Sequence, residues 1–235
     1  MKKLIRTSVL ILLLFIPLGL NAHVLISILL GDALNTDKIE FGIVGGLNRS
    51  NIYSISDAEA MNNFNLGFYF HILIKNNSYF STGVLVKSNV GATGMPVYSM
   101  DDPNFDAIYA GGTLTKKIPG FYVPILFHQR FNNRWYIEAG PQLGLIYKPV
   151  DIFEVSSLGG DNKFTLEVKD QYKHIDAGFT GGIGYKFKKE IKSMAIGISY
   201  YYGLVDISAD PSQKIKNSSL NVYMKIPIGV GKPKE

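Results

Sequence analysis

The stretch "HIDAGFTGGIGYKF", residues 174–187, alternates with a period of two. Ile175, Ala177, Phe179, Gly181, Ile183, Tyr185 and Phe187 form a greasy set, and His174, Asp176, Gly178, Thr180, Gly182, Gly184 and Lys186 a polar or side-chain-free one. Successive side chains of an extended strand point to opposite faces, so the pattern describes a two-faced β-strand and excludes an amphipathic helix. The same rule recurs in "NLGFYFHILIK", "WYIEAGPQLGLIYK", "MAIGISYYYGLV" and "SLNVYMKIPIG", with weaker copies at 39–48, 79–90 and 121–131. Eight strands are expected, at about 39–49, 64–75, 79–91, 118–131, 134–148, 173–187, 193–205 and 218–229.

The connections alternate in length. Residues 76–78, 132–134 and 188–193 are short, whereas 50–63, 92–117, 149–172 and 206–217 are long and rich in Asp, Asn, Ser, Gly and Pro. Short turns at one end and long loops at the other are the layout of an up-and-down transmembrane barrel. The expected fold is therefore all-β: an eight-stranded antiparallel up-and-down transmembrane β-barrel over 39–235, with short periplasmic turns and long extracellular loops. The chain has 46% hydrophobic and only 18% charged residues, fewer charges than the roughly 25% usual for soluble domains.

The polar face decides which side is outside. It carries many glycines, which weaken a solvated strand face and gain nothing there. Inside a narrow barrel they leave room for larger neighbours. The greasy face is too bulky for an eight-strand interior, so it is assigned to lipid: Phe68, Phe70, Ile72, Val123, Ile125, Phe127, Ile137, Leu143, Leu145, Phe179, Ile183, Tyr185, Ile196, Ile198, Tyr200, Val222, Met224 and Ile226. The inward polar network expected from the other face is Glu40, His71, Lys87, His128, Arg130, Glu138, Gln142, His174, Asp176 and Lys225. Charges in a narrow lumen must pair or be wetted. Glu138 is within reach of Arg130 or His128 across the turn at 132–134.

The N-terminus reads as an address. "MKKLIRTSVLILLLFIPLGLNA" has a basic start, an apolar core and a small residue at Ala22, the pattern of a secretory signal peptide over 1–22. Residues 23–38 form an N-terminal periplasmic segment, either a short helix or a poorly ordered leader. Export to the outer membrane of a Gram-negative bacterium follows.

Other chemistry finds little support. Cys is absent, and the net charge of +5 is scattered without a nucleic-acid module. A Ser/His/Asp set from Ser156, His174 and Asp176 has no nucleophile elbow. "GFTGGIG" lacks the Lys-Ser/Thr of a phosphate loop. No catalytic residue, cofactor or metal is expected.

The runs "FYVPILFHQRFNNRWYIEAGPQLGLIY", "DAGFTGGIGYKF" and "SYYYGLVDIS" resemble the PorT-like outer-membrane β-barrel family of Bacteroidetes-type bacteria. The resemblance implies an eight-stranded outer-membrane barrel and suggests kinship with secretion-apparatus barrels. The functional expectation is a non-enzymatic barrel, bathed in outer-membrane lipid, with a structural role or one of binding a protein partner of unknown identity through its long loops. The alternatives are a narrow pore for small solutes or ions, and a soluble lipocalin-like carrier with its faces inverted.

Overall fold

The computed structural model describes residue 36 and residues 38–228, apart from 158, 159 and 191. The signal peptide and nearly all of the 23–38 segment lie outside the described residues. Ten strands follow in order: β1 (Ile39–Ile52), β2 (Glu59–Lys75), β3 (Ser78–Pro96), β4 (Thr113–Phe131), β5 (Trp135–Ile146), β6 (Val150–Ser157), β7 (Gly160–Glu167), β8 (Ile175–Lys186), β9 (Ala195–Gly203) and β10 (Asn217–Pro227). One seven-residue helix, α1 (Pro103–Tyr109), sits between β3 and β4; Asp102 caps it by accepting from the Asn104 and Phe105 amides.

All pairings are antiparallel, and they close a ring. Neighbours run β3-β2-β1-β10-β9-β8-β5-β4, and β3 pairs back onto β4. The first and last strands meet along their length, from Gly42↔Pro227 to Ile52↔Asn217. Closure removes the sheet edges that would otherwise leave backbone groups unpaired in hydrocarbon. At the short-turn end the chain reverses through Asn76, Asn132 and Asn133, each at positive φ, a region asparagine tolerates better than most residues.

The sequence pattern predicts eight strands, and the sheet has ten. The additional two are the β6–β7 hairpin within 149–172, a stretch expected to be loop. β4 runs past the end of β5, and its residues Thr113–Lys117 pair with Val150–Glu154 of β6. The 92–117 stretch, also expected to be loop, supplies the ends of β3 and β4 and the helix α1. The long-loop end is thus a standing wall rather than a set of free loops.

Side chains alternate across this wall as the period-two pattern requires. β5 and β9 switch between exposed and buried at every residue. Phe127 is 53% and Ile183 51% exposed, whereas His128 and Tyr201 are 1% exposed. Of the eighteen residues expected to face lipid, fifteen are exposed, and Phe68, Phe70 and Tyr185 are half-buried. A lipocalin-like carrier would need that greasy stripe inside; it lies outside.

Two inward assignments are corrected. Lys87 is exposed, not inward. A bulge in β3 sets Leu66 opposite Lys87 but Gly67 opposite Leu85, so one extra residue shifts the strand's parity. Tyr79 and Ser81 point inward before the bulge, and Ser88 and Val90 after it. His174 is exposed as well. β8 starts at Ile175, and 173–174 bend away toward the Tyr172↔Ser208 bridge, so strand alternation does not extend to His174.

Candidate functional site in the lumen and at its mouth

Glycines on the inner face set the width of the lumen. A Cβ on Gly184 would lie 2.1 Å from the Tyr136 ring, and one on Gly197 would lie 2.6 Å from Tyr223. Each glycine is the cross-strand partner of the tyrosine that covers it. The tyrosines therefore lie across the neighbouring strand and reach the charged groups at the centre.

The half of the lumen nearer the short turns is filled by an ion-paired cluster. Arg130 Nη2 donates to Glu40 Oε2 at 2.8 Å, and its Nε to His128 Nε2 at 3.2 Å. Its guanidinium lies 4.0 Å from the Tyr79 ring centroid. Glu138 is the second centre. Its Oε2 lies 2.7 Å from Lys225 Nζ and 3.2 Å from His128 Nδ1, and its Oε1 accepts from the Tyr223 hydroxyl at 2.6 Å. Tyr69 donates to Glu40, and the His71 ring packs on His128 with centroids 4.3 Å apart. Of the two partners within reach of Glu138, the structure brings it His128; Arg130 instead joins Glu40. Lys186 closes the bottom, donating to the Glu190 carbonyl at 2.8 Å.

Above this cluster the lining becomes neutral and polar. Asn48 donates to Asn65, which donates to Asn221. Thr180 donates to Gln142 at 3.0 Å. A cavity of about 80 Å³ lies here, lined by Asn65, Gln142, Thr180, Asn221, Glu138 and Lys225 among others. Higher still, Asp176 is buried and accepts from Tyr201, Asn217 and Tyr122.

The mouth at the long-loop end is apolar. Ile52, Val90, Met95, Leu114, Ile118, Ile146, Phe153, Tyr172, Ile207 and Ile215 belong to one buried cluster drawn from strands and loops all round the ring. Within the wall, Lys116 pairs with Asp151 at 2.8 Å, and Tyr98 donates to the same carboxylate. Burial and that neighbouring carboxylate push the Tyr98 hydroxyl up from its ordinary pKa. An open bowl of about 710 Å³ stands over the cap, with Met95, Leu114 and Ile215 in its floor and Asp57, Asp170 and Asp210 on its lining.

Eight of the ten residues named for the inward network are buried: Glu40, His71, His128, Arg130, Glu138, Gln142, Asp176 and Lys225. Sequence reasoning missed the tyrosines that bridge them, although Tyr69, Tyr136 and Tyr223 stand on the polar face opposite glycine. It also missed the Lys116–Asp151 pair, whose two residues fall in stretches expected to be loop.

A closed antiparallel ring with an apolar outside and an ion-paired inside defines a β-barrel of the kind that sits in an outer membrane. A family model described as "Outer membrane protein beta-barrel domain" matches residues 33–209, and the chain belongs to that family. No curated protein matches the chain. Solved structures do. Ail, the attachment invasion locus protein of Yersinia pestis, crystallised with the heparin analogue sucrose octasulfate, is 12% identical, with 81% of this chain and 99% of that one covered and a TM-score of 0.46. Neisserial surface protein A is 11% identical over 79% of this chain and 96% of that one, with a TM-score of 0.39. OprG from Pseudomonas aeruginosa is 10% identical over 80% and 91%, with a TM-score of 0.34.

Proposed function

We propose that this is a non-enzymatic, membrane-spanning barrel whose lumen is closed and whose long-loop end binds a protein partner. One observation carries the reading: the Arg130–Glu40 and Glu138–Lys225 pairs occupy one half of the lumen, and an apolar cluster caps the other. Ions moving along the axis would have to break buried pairs and then cross a largely apolar plug, both costly. The outward stripe supports contact with outer-membrane lipid. From Trp135 to Ile146, β5 has 12 residues. At about 3.3 Å per residue and about 40° of tilt it rises about 30 Å, enough for the ~25 Å apolar band of such barrels. Trp135 packs on Tyr185 near one end of that span, and Phe121 on Tyr147 at the other, as interfacial aromatics do.

Eight strands form the cycle that we read as crossing the membrane, with β6 and β7 outside it. The resemblance of "EAGPQLG" and "GGIGYKF" to the PorT-like group supports a place near secretion-apparatus barrels. The narrow-pore reading is favoured by one feature, the small cavity at mid-lumen, although its lining is largely apolar. Two measurements separate the readings. The detergent-extracted protein should change mobility on a gel when boiled, and planar bilayers carrying it should show no conductance steps. Steady unit conductance would overturn the closed lumen, and a heat-insensitive, detergent-independent protein would overturn the barrel itself.

A further inference from the structure

The wall above the barrel ends in an edge. β7 stands last in the sheet order and pairs with β6 alone among the described strands. An edge strand presents a row of N–H and C=O groups to any other chain, and proteins commonly guard such edges with charged side chains. Here the charges are tied back. Lys163 Nζ lies 2.7 Å from Glu154, Asp161 accepts from Ser156 at 2.7 Å, and Glu167 lies 3.4 Å from Lys148.

The residues of this edge are complementary to themselves. Read antiparallel against a second copy, Lys163-Phe164-Thr165-Leu166-Glu167 sets Thr165 opposite Thr165, Phe164 opposite Leu166 and Lys163 opposite Glu167. Opposed residues in an antiparallel pair share one face, so only registers that keep strand parity are allowed. The neighbouring allowed register on one side places Asp161 against Glu167, and like charges opposed in this way destabilise a strand pair. The one on the other side would bring Lys163 against Lys169, which lies beyond the strand in the 3₁₀ turn Lys169–Gln171, so only Thr165–Glu167 would pair and Lys163 would have no strand partner. The Thr165-centred register alone joins opposite charges on one face and apolar residues on the other. Phe164 already packs on Phe105, and Leu166 against the buried cluster, so pairing would lengthen an existing apolar stripe. On the far face the order Glu154, Lys163, Glu167, Lys148 would alternate in sign across the two hairpins.

We infer that β7 is the docking edge for a second copy of this chain, paired antiparallel about Thr165. The inference rests on the reading of the long-loop end as the contact surface and names the partner. An antiparallel pair has its two-fold axis normal to the sheet. β6 and β7 continue the wall built on β4, whose normal lies in the membrane plane. Two barrels joined in this way therefore meet head to head from opposed membranes.

The chain has no cysteine, so single-cysteine variants report cleanly. Each variant of the full chain is first shown to keep its heat-dependent gel shift. After oxidation, Thr165→Cys in detergent should run as a covalent dimer on a non-reducing gel, and Phe164→Cys and Leu166→Cys should remain monomers. Vesicles carrying Lys163→Cys mixed with vesicles carrying Glu167→Cys should crosslink, and neither population should do so alone. A monomeric Thr165→Cys, crosslinking that ignores position, or no crosslink between the mixed vesicles would each overturn the pairing. A barrel that shifts on heating and does not conduct, yet never crosslinks, would overturn this inference and leave the proposed function standing. Crosslinking at Thr165 in a barrel that conducts would do the reverse.

Discussion

Glu138 offers the sharpest test of the lumen. Its two oxygens serve Lys225, His128 and Tyr223, and the other acid of the cluster, Glu40, is committed to Arg130 and Tyr69. Glu138→Gln keeps the side-chain shape and removes the charge. Lys225, 6% exposed, would then hold an ammonium beside an amide with no carboxylate in contact. Breaking one half of a buried pair costs about 3–5 kcal/mol, whereas replacing both halves by uncharged groups is often close to neutral. Glu138→Gln and Lys225→Met should therefore each cost about 3–5 kcal/mol, and the double variant only about 0–2 kcal/mol. The assay is urea unfolding of the barrel in lipid, followed by fluorescence of the single tryptophan, Trp135, which lies on the outer face away from the cluster. Additive losses in the double variant, or single losses below about 1 kcal/mol, would refute the argument that these groups are paired and shielded from water.

Other consequences can be measured independently. Ile183→Arg on the outer face should cost roughly 2–4 kcal/mol in a bilayer and Thr180→Lys beside the cavity less; equal costs would mean the faces are misassigned. Gly184→Ala drives a methyl into the Tyr136 ring and should cost about 1–3 kcal/mol, and pairing it with Tyr136→Leu should recover most of that loss. Asp106 accepts from the Ser99 hydroxyl and the Met100 amide, and these bonds hold its carboxyl below the usual carboxylate range. A carboxylate depressed in the folded state supports its loop above the unfolded pKa and ceases to do so as pH falls through the folded one. Amide exchange at Met100 should thus be slow at neutral pH and speed up beyond its intrinsic change once pH falls below the ordinary aspartate range; unaltered protection there would count against the anchor.

Much of the wall was readable because period-two alternation is local. A residue such as Ile183 declares its face through its immediate neighbours, and the same holds for Glu138, Arg130 and Asp176. Alternation fails where the strand itself is irregular. Lys87 was misplaced because a bulge leaves no periodic mark in a stretch as mixed as "GVLVKSNV". His174 was misplaced because the strand begins one residue later. The β6–β7 hairpin was hidden for a different reason. Its strand β7 is exposed at nearly every residue and is held by pairing to β6, which in turn leans on an extension of β4. Polar strands supported by a distant segment carry little signal in their own side chains. The pairing of Glu138 with Lys225 joins residues far apart in sequence, so it depends on ring closure, and parity alone cannot supply it.

The strands differ greatly in length: β3 and β4 have 19 residues each, and β9, across the ring, has 9. Both must cross the same apolar band, so nearly all the surplus stands outside it and on one flank. The barrel is therefore cut obliquely at the rim, like a quill. A symmetric tube presents the same profile from every bearing, but this one has a back and an open front. Rotation about its own axis then changes what a neighbouring molecule meets, so encounters at this surface depend on azimuth as well as on distance.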